Sequence, residues 1–186
     1  MDEPRFTAIA TPRLRLDRLV PSDAAALFAY RGDDAVARFQ GWKPADQAEV
    51  EGFIAKQAAQ AFAMADSWLQ LAIRDGVSDE LVGDLGIHFP PSHFDAIEFG
   101  VTLAPNRQGQ GYAREALGGL LDLAFGEWGY RRAVGSVDPR NVASMALLRS
   151  LGFRQEAHHV ESCLIRGEWV DDVVFAMLAR EWRPRS

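Results

Sequence analysis

The run from Glu98 to Leu117 constrains the fold more than any other part of this 186-residue chain. Its first residues alternate, so that side chains two positions apart share one face of a β-strand. The apolar face holds Ile97, Phe99, Val101 and Leu103, and the other face holds Glu98, Gly100 and Thr102. After a turn, apolar residues recur at the spacing of an amphipathic helix, namely at Ala113, Leu117, Leu120, Leu121 and Ala124.

The turn between this strand and helix contains Gly109 and Gly111. A helix N-terminus has unpaired N–H groups and a partial positive charge, so a glycine turn at this place is suited to bind a diphosphate. A plain strand-to-helix connection explains the glycines equally well. A dinucleotide-binding fingerprint is disfavoured, because Arg114 occupies the place of its third glycine and no acidic residue ends the next strand-like run, 133–137.

The remaining periodicities predict a single domain over residues 1–186, with the order βααβββαβαββ of a mixed α/β fold. Further strands are predicted at 13–19, 68–74, 81–89, 133–137, 155–162 and 170–178, and further helices at 24–30, 46–64 and 142–151. The predicted buried stripe of the 46–64 helix comprises Val50, Phe53, Ile54, Ala58, Ala61, Phe62 and Ala65. Residues 1–10 and 183–186 are expected to fray.

Composition narrows the functional classes. A net charge of −6 and a pI near 5.2 disfavour nonspecific nucleic-acid binding, which needs clustered Lys and Arg. Apolar runs stay below membrane-spanning length, so no membrane partner is expected. The single cysteine, Cys163, excludes an internal disulfide and fits a cytoplasmic location. We expect no metal site, because His88 and His93 lie irregularly among prolines and the adjacent His158 and His159 face opposite sides of a strand.

Four ordered blocks give the chain a resemblance to a known family. The glycine turn resembles motif A of the GCN5-related N-acetyltransferase (GNAT) superfamily, Arg/Gln-x-x-Gly-x-Gly/Ala, although Asn106 stands where the family has Arg or Gln. Residues 11–28, 141–153 and 167–182 resemble blocks of the RimJ/RimL branch, including its Asn-x-x-Ser…Gly-Phe pattern. The resemblance covers nearly the whole chain and implies the GNAT fold, a central twisted, mostly antiparallel sheet flanked by helices.

The resemblance implies that acetyl-CoA is the cofactor and that an amine attacks its thioester directly in a ternary complex. The pantetheine arm would lie like an added strand along Val101 and Leu103, and Asn141 would hydrogen-bond it while capping the following helix. The diphosphate would be surrounded by Gln108, Gly109, Gln110, Gly111, Tyr112 and Ala113.

Glu98 and Ser144 are the predicted catalytic residues. Glu98 lies on a strand face with little side-chain bulk, where partial burial would raise its pKa and improve it as a general base. RimL-type enzymes are similar in having a glutamate here, whereas an exposed strand carboxylate is the simpler alternative. Ser144, in the first turn of the next helix, would protonate the leaving thiolate, and local helix contacts are the alternative role. Leu148 replaces a tyrosine found in other GNAT branches.

The acceptor is predicted less sharply. Family acceptor sites suggest Phe39, Trp42, His88, Phe89 and His159, although core or rim packing explains the aromatic residues equally well. An α-amino group has a pKa of about 8, against about 10.4 for lysine, so a glutamate base meets more neutral amine at a peptide N-terminus. We therefore favour an N-terminal α-amine. The acceptor could instead be a small-molecule amine such as an amino sugar, antibiotic or polyamine. A non-catalytic acyl-CoA sensor is the alternative function, and a homodimeric assembly stays open.

Overall fold

The computed structural model describes residues 6, 8–91 and 95–184. Its strands are β1 (Ile9–Ala10), β2 (Leu14–Arg18), β3 (Ser67–Asp75), β4 (Leu81–Phe89), β5 (Ala96–Leu103), β6 (Arg132–Val137), β7 (Arg154–Ile165) and β8 (Glu168–Leu178). Its α-helices are α1 (Ala24–Arg31), α2 (Asp34–Ala37), α3 (Gln47–Ala59), α4 (Tyr112–Phe125) and α5 (Val142–Leu151). Within these described ranges, no helix combines the length and apolar character needed to cross a bilayer.

The strands form one sheet in the order β1-β2-β3-β4-β5-β6-β8-β7. Neighbouring strands run antiparallel except β5 and β6, which are parallel. The pairing of β5 with β6 extends only from Ala96 to Glu98 on β5, so the two strands diverge beyond Glu98 and Val134. This mixed, mostly antiparallel sheet confirms the predicted fold class, and the divergence opens the middle of the sheet.

Helix α4 covers one face of the sheet because its apolar stripe is buried there. The buried positions are Ala116, Leu117, Leu120, Leu121 and Ala124, which pack against the apolar face of β5. Ala113, predicted in the same stripe, is only half-buried. Helices α1 and α3 cover the opposite face, around a second cluster that includes Leu27, Val50 and Ile54. Helices therefore pack on both faces of the sheet around the divergence of β5 and β6.

A buried charge network fastens α1 to the sheet. Asp84 of β4 is 1% exposed and accepts hydrogen bonds from the Tyr30 hydroxyl at 2.8 Å and from Arg31 Nε at 3.1 Å. Gln70 donates to the same carboxylate, and Arg31 also donates to Gln40 at 3.1 Å. Burial, together with the Asp84 charge, raises the pKa of Tyr30 well above its usual value. The network places α1 and the segment after it over β4 and β5.

Two element predictions need correction. Helix α3 ends at Ala59 and not at residue 64, and Phe62 lies beyond it, in the aromatic cluster on the α4 face, 5.4 Å from Phe89. The chain must leave the helix axis to reach that face. Gln57 is buried in place of the predicted alanines, because its Oε1 accepts from Gln70 N of β3 at 2.7 Å. The exposed members of the predicted stripe are Ala58, Ala61 and Ala65. Residues 9–10, expected to fray, form β1.

Candidate active site

A groove and a smaller cavity meet where β5 and β6 diverge. The groove has a volume of about 620 Å³ and runs between the C-terminal half of β5, the glycine turn, α2 and α5. The smaller cavity, of about 130 Å³, lies in the opening itself between Gly100 of β5 and Gly135 of β6. A larger depression of about 750 Å³ lies beside β2 and β3, but its charged side chains already pair with one another, such as Arg74 with Asp17 and Asp23.

The glycine turn presents a row of free backbone donors. Gly109 and Gly111 have φ angles of +72° and +83°, in the left-handed region where a Cβ is unfavourable, and Gly111 is the N-cap of α4. Within the described part of the chain, the N–H groups of residues 109–114 have no protein acceptor, and the first bond closing α4 is Glu115 N to Gly111 O. The turn thus supplies an anion-binding helix N-terminus.

Most of the predicted cofactor residues line this groove. They are Val101, Leu103, Gln108, Gly109, Gly111, Tyr112, Ala113 and Asn141. Gln108 Nε2 donates to Leu103 O at 3.1 Å, which ties the turn to the end of β5. Gln110, also predicted, directs its side chain away, with Nε2 donating to Asn106 O at 2.8 Å. Arg114 borders the groove as well, where its Nη2 donates to Ser150 O at 2.9 Å.

Asn141 and Ser144 lie at the junction of the groove and the small cavity, and both residues line each of them. Asn141 caps α5, since its Oδ1 accepts from Ser144 N at 3.1 Å, as the sequence predicts. Its side-chain amide N–H groups stay available to a ligand. Leu148, one turn later, is buried, with its side chain over Gly135. The first turn of α5 therefore presents an amide and a hydroxyl to the opening in the sheet.

Glu98 is half-buried on the face of β5 that points away from α4. Burial raises the pKa of its carboxyl group above the usual value, the nearby Asp172 raises it further, and His88 lowers it. Glu98 lines a separate cavity of about 470 Å³ at the start of β5 and β6, whereas Gly100, two residues along the strand, lines the small cavity with Ser144. Glu98 and Ser144 therefore line two different cavities along β5.

Two of the predicted acceptor residues share the face of Glu98. His88 is the cross-strand partner of Glu98, and its ring stacks on Trp68 with centroids 5.2 Å apart. His159 is exposed on β7 opposite Asp172 of β8. In the part of the chain that the structure describes, no group of three or more His, Cys, Asp or Glu side chains is placed to hold a metal ion. His93 lies outside the described residues.

The predicted aromatic acceptor residues separate into three environments. Phe39 lines both the groove and the small cavity. Trp42 packs on Phe53 of α3 with centroids 4.6 Å apart, and its Nε1 donates to Glu49 at 2.7 Å, so it belongs to the rim of the α1–α3 cluster. Phe89 is 1% exposed in the core on the α4 face, because successive strand residues point to opposite faces and His88 occupies the acceptor face. Phe89 is therefore not on the acceptor face, and its position agrees with the alternative of core packing.

Some residues of the site carry no signal in the sequence. Val36 and Gln40 line the groove from α2 and the segment after it, and Gly135 lines the small cavity from β6. Helix α2 spans four residues, too few for a periodicity to indicate which side faces a ligand. Only the folding of this segment over β5, helped by the bond between Gln40 and Arg31, brings it to the groove.

Comparison with known proteins places the chain in a family. Residues 13–154 match the family model for an acetyltransferase (GNAT) domain, and the chain belongs to this family. The uncharacterised N-acetyltransferase p20 of Bacillus licheniformis is 28% identical over 92% of this chain and 96% of its own length. A crystal structure of a probable GNAT-family acetyltransferase from Chromobacterium violaceum is 30% identical, covers 97% of this chain and 90% of its own, and superimposes with a TM-score of 0.83. The protein is an acetyl-CoA-dependent N-acetyltransferase.

Relatives with assigned acceptors match over shorter stretches. The ribosomal protein uS5-alanine N-acetyltransferase of Escherichia coli is 31% identical over 49% of this chain and 47% of its own. The spermidine N(1)-acetyltransferase of Vibrio cholerae is 30% identical over 48% of this chain and 51% of its own. These two relatives act on a protein and on a polyamine, so similarity alone leaves the acceptor class of this chain open.

Proposed function

We propose that this protein transfers the acetyl group of acetyl-CoA to a peptide or protein N-terminal α-amine, and that the thioester lies in the β5–β6 opening. The observation that most directly supports the cofactor site is the row of N–H groups at residues 109–114. They have no protein acceptor among the described residues, and they lie at one end of a groove that leads to that opening. A diphosphate on these donors would direct the pantetheine arm along β5 toward Gly100 and Ser144.

The cofactor would be held mainly by backbone groups. Beyond Glu98, the edge of β5 that faces β6 has no strand partner among the described residues, so its N–H and C=O groups are open to the amides of pantetheine. The Asn141 side chain would add a hydrogen bond from the first turn of α5. These contacts do not depend on the acyl group, and they fix where the thioester carbon lies.

The proposed reaction is direct acyl transfer. The amine nitrogen attacks the thioester carbon, the C–S bond breaks, and Glu98 accepts the amine proton, directly or through water. The Ser144 hydroxyl donates a proton to the departing thiolate and takes one from a water molecule in the same step, so that no serine alkoxide is left. The raised pKa of Glu98 supports its role, since a base is more effective as its pKa approaches the working pH. Cys163 lies on β7 opposite Val170, at the edge of the sheet, and we assign it no part in the transfer.

The choice of an N-terminal α-amine rests on its lower pKa, because a single carboxylate base meets more neutral amine there than at a lysine side chain. The acidic groups on the acceptor face, Glu98 and Asp172, are compatible with any amine that arrives as a cation. A small-molecule amine is the second candidate, in line with the polyamine-acetylating relative. We place the enzyme in the cytoplasm, where its single thiol stays reduced.

A screen of peptides with different N-terminal residues against amino sugars and polyamines tests the acceptor. Glu98→Gln and Ser144→Ala should each lower kcat at least tenfold while the CoA affinity measured by calorimetry stays within a factor of two. Glu51→Gln, a matched change on the exposed side of α3, should leave both unchanged. Tight CoA binding with no turnover across the panel would instead support a sensor.

A further inference from the structure

The N-terminal block, residues 9–14, packs against α4 close to the glycine turn. Gly119 of α4 allows this contact, since a Cβ there would lie 2.9 Å from methyl groups of both Ile9 and Thr11. Thr11 and Leu14 close a tight turn, with Thr11 N donating to Leu14 O at 2.9 Å. Arg13 is thereby brought next to the glycine turn, although it is not among the residues that line the groove. Neither the groove nor the proposed chemistry accounts for this arrangement.

Arg13 makes a set of contacts with the start of α4. Its backbone N–H and its Nε donate to the two carboxylate oxygens of Glu115 at 2.7 and 2.6 Å. Its Nη1 donates to Gln110 O at 3.0 Å, and its guanidinium lies 4.6 Å from the ring centre of Tyr112. Thr11 Oγ1 donates to Glu115 at 2.7 Å, which completes the network. Contacts to three successive parts of the turn and helix suggest a role beyond one surface ion pair.

The bond to Gln110 O fixes the orientation of one peptide of the turn. In a planar trans peptide the C=O and the following N–H point in opposite directions. Because Arg13 Nη1 holds the Gln110 carbonyl, the N–H of the same peptide, that of Gly111, points away from Arg13, and Gly111 itself lines the groove. Free rotation of this peptide would remove that donor from the row at residues 109–114.

Arg13 also compensates a negative charge. The Glu115 carboxylate lies in the first turn of α4, where it favours the helix but would repel an anionic ligand bound to the same helix end. Burial raises the pKa of Glu115, but the hydrogen bonds from Thr11 and Arg13 outweigh it and keep the group ionised. Pairing with Arg13 cancels this charge and leaves the partial positive charge of the helix N-terminus available.

We propose that Arg13 is a positioning residue for the cofactor, which orients the Gln110–Gly111 peptide and neutralises Glu115 so that the glycine turn can bind a diphosphate. This inference rests on the proposed function for the identity of the ligand. It assigns a role in cofactor recognition to the Thr11-Pro-Arg block, which lies about a hundred residues before the turn in the sequence.

The test compares Arg13→Gln with Arg15→Gln, a similarly exposed arginine two residues later on β2 whose partners are Asp17 and Asp79. Arg13→Gln should weaken CoA binding in calorimetry about tenfold, and Arg13→Lys should lie in between because it keeps the charge but cannot form the forked contacts. Arg15→Gln should bind CoA like the unaltered protein.

A second measurement separates positioning from a general loss of structure. S-acetyl-N-acetylcysteamine has the thioester of the cofactor but no diphosphate, so kcat/KM with this donor should be equal for Arg13→Gln and the unaltered protein. Unchanged CoA affinity in Arg13→Gln, or a parallel loss with both donors, would overturn the inference while leaving the proposed function intact. Failure of the unaltered protein to bind CoA would overturn both.

Discussion

Replacing Gly111 by alanine tests the diphosphate turn directly. Gly111 has φ +83° and ψ 2°, and a non-glycine residue in this left-handed conformation costs about 1–2 kcal/mol. Space is not the obstacle, because an added Cβ would lie 3.4 Å from Arg13 Nη2, which is an ordinary van der Waals distance. The CoA-bound protein must bear the full strain, so the loss of folding stability in the free protein and the loss of binding free energy together should equal about 1–2 kcal/mol.

The division between these two losses follows from the structure. The N–H groups around Gly111 have no protein acceptor in the described residues. The free turn is held by an exposed bond from Arg13 Nη1 to Gln110 O and by the bond from Glu115 N to Gly111 O, so alanine at this position can break these two bonds and let the turn relax. Most of the strain should therefore appear on binding, as a 5- to 30-fold higher Kd for CoA. Calorimetry measures the Kd, and urea unfolding of the free protein measures the part of the strain that appears as a loss of folding stability.

Gly129→Ala is the matched control. Gly129 has φ +70° with open space around its Cα, but it lies in the connection between α4 and β6, away from the groove. The Gly129→Ala variant should show a similar total loss of free energy, all of it as reduced folding stability, and should keep its CoA affinity. An unchanged Kd in Gly111→Ala, or an equal rise of the Kd in both variants, would refute the assignment of the turn.

Three further predictions concern the remaining parts of the site. Because Glu98 must be deprotonated to act and burial raises its pKa, kcat/KM should fall as the pH drops through that raised pKa. His88 lowers the pKa of Glu98, so His88→Gln should move this acid limb of the pH profile to higher pH. An acid limb that stays in place or moves to lower pH contradicts the assignment of Glu98 as the base. Asn141→Ala should lower the free energy of unfolding by about 1 kcal/mol and also weaken CoA binding. Asn141→Asp keeps the helix cap and should weaken only CoA binding. Urea unfolding and calorimetry on both variants check this difference. Asp84→Ala leaves Arg31 buried without its partner and should lower the free energy of unfolding by about 3–5 kcal/mol. A loss below about 1 kcal/mol in urea unfolding would show that the pair is dispensable.

The predictable parts of the site are those set by local backbone chemistry. Alternation placed Glu98 on the face of β5 away from the core, and the glycines marked the left-handed turn before α4. Asn141 was predicted as the cap of α5 because asparagine is favoured at a helix N-cap. Its side-chain oxygen accepts a hydrogen bond from the backbone N–H three residues later, here that of Ser144. The family pattern added the roles, which no local rule supplies. The catalytic roles and the acceptor residues stay predictions.

Contacts between distant segments were not predictable in the same way. Phe62 differs from its predicted place because the chain leaves the α3 axis and buries this ring on the face that α4 covers, which no local pattern shows. The contribution of α2 to the groove and the contact of Arg13 with the glycine turn depend on segments far apart in the sequence. Hydrophobic periodicity reports only that a face is buried and does not identify its partner.

The sequence by itself determined the strand, the turn and the helix of residues 98–117, the capped start of α5 and, through its motifs, the family. These features arise within about a turn of helix or a few strand residues, where φ and ψ preferences and hydrogen bonds between near neighbours dominate. Only the tertiary structure decided where β5 and β6 separate, which side chains border the opening, and that Arg13, just before β2, contacts the glycine turn. Those outcomes depend on packing between surfaces that the linear pattern does not pair.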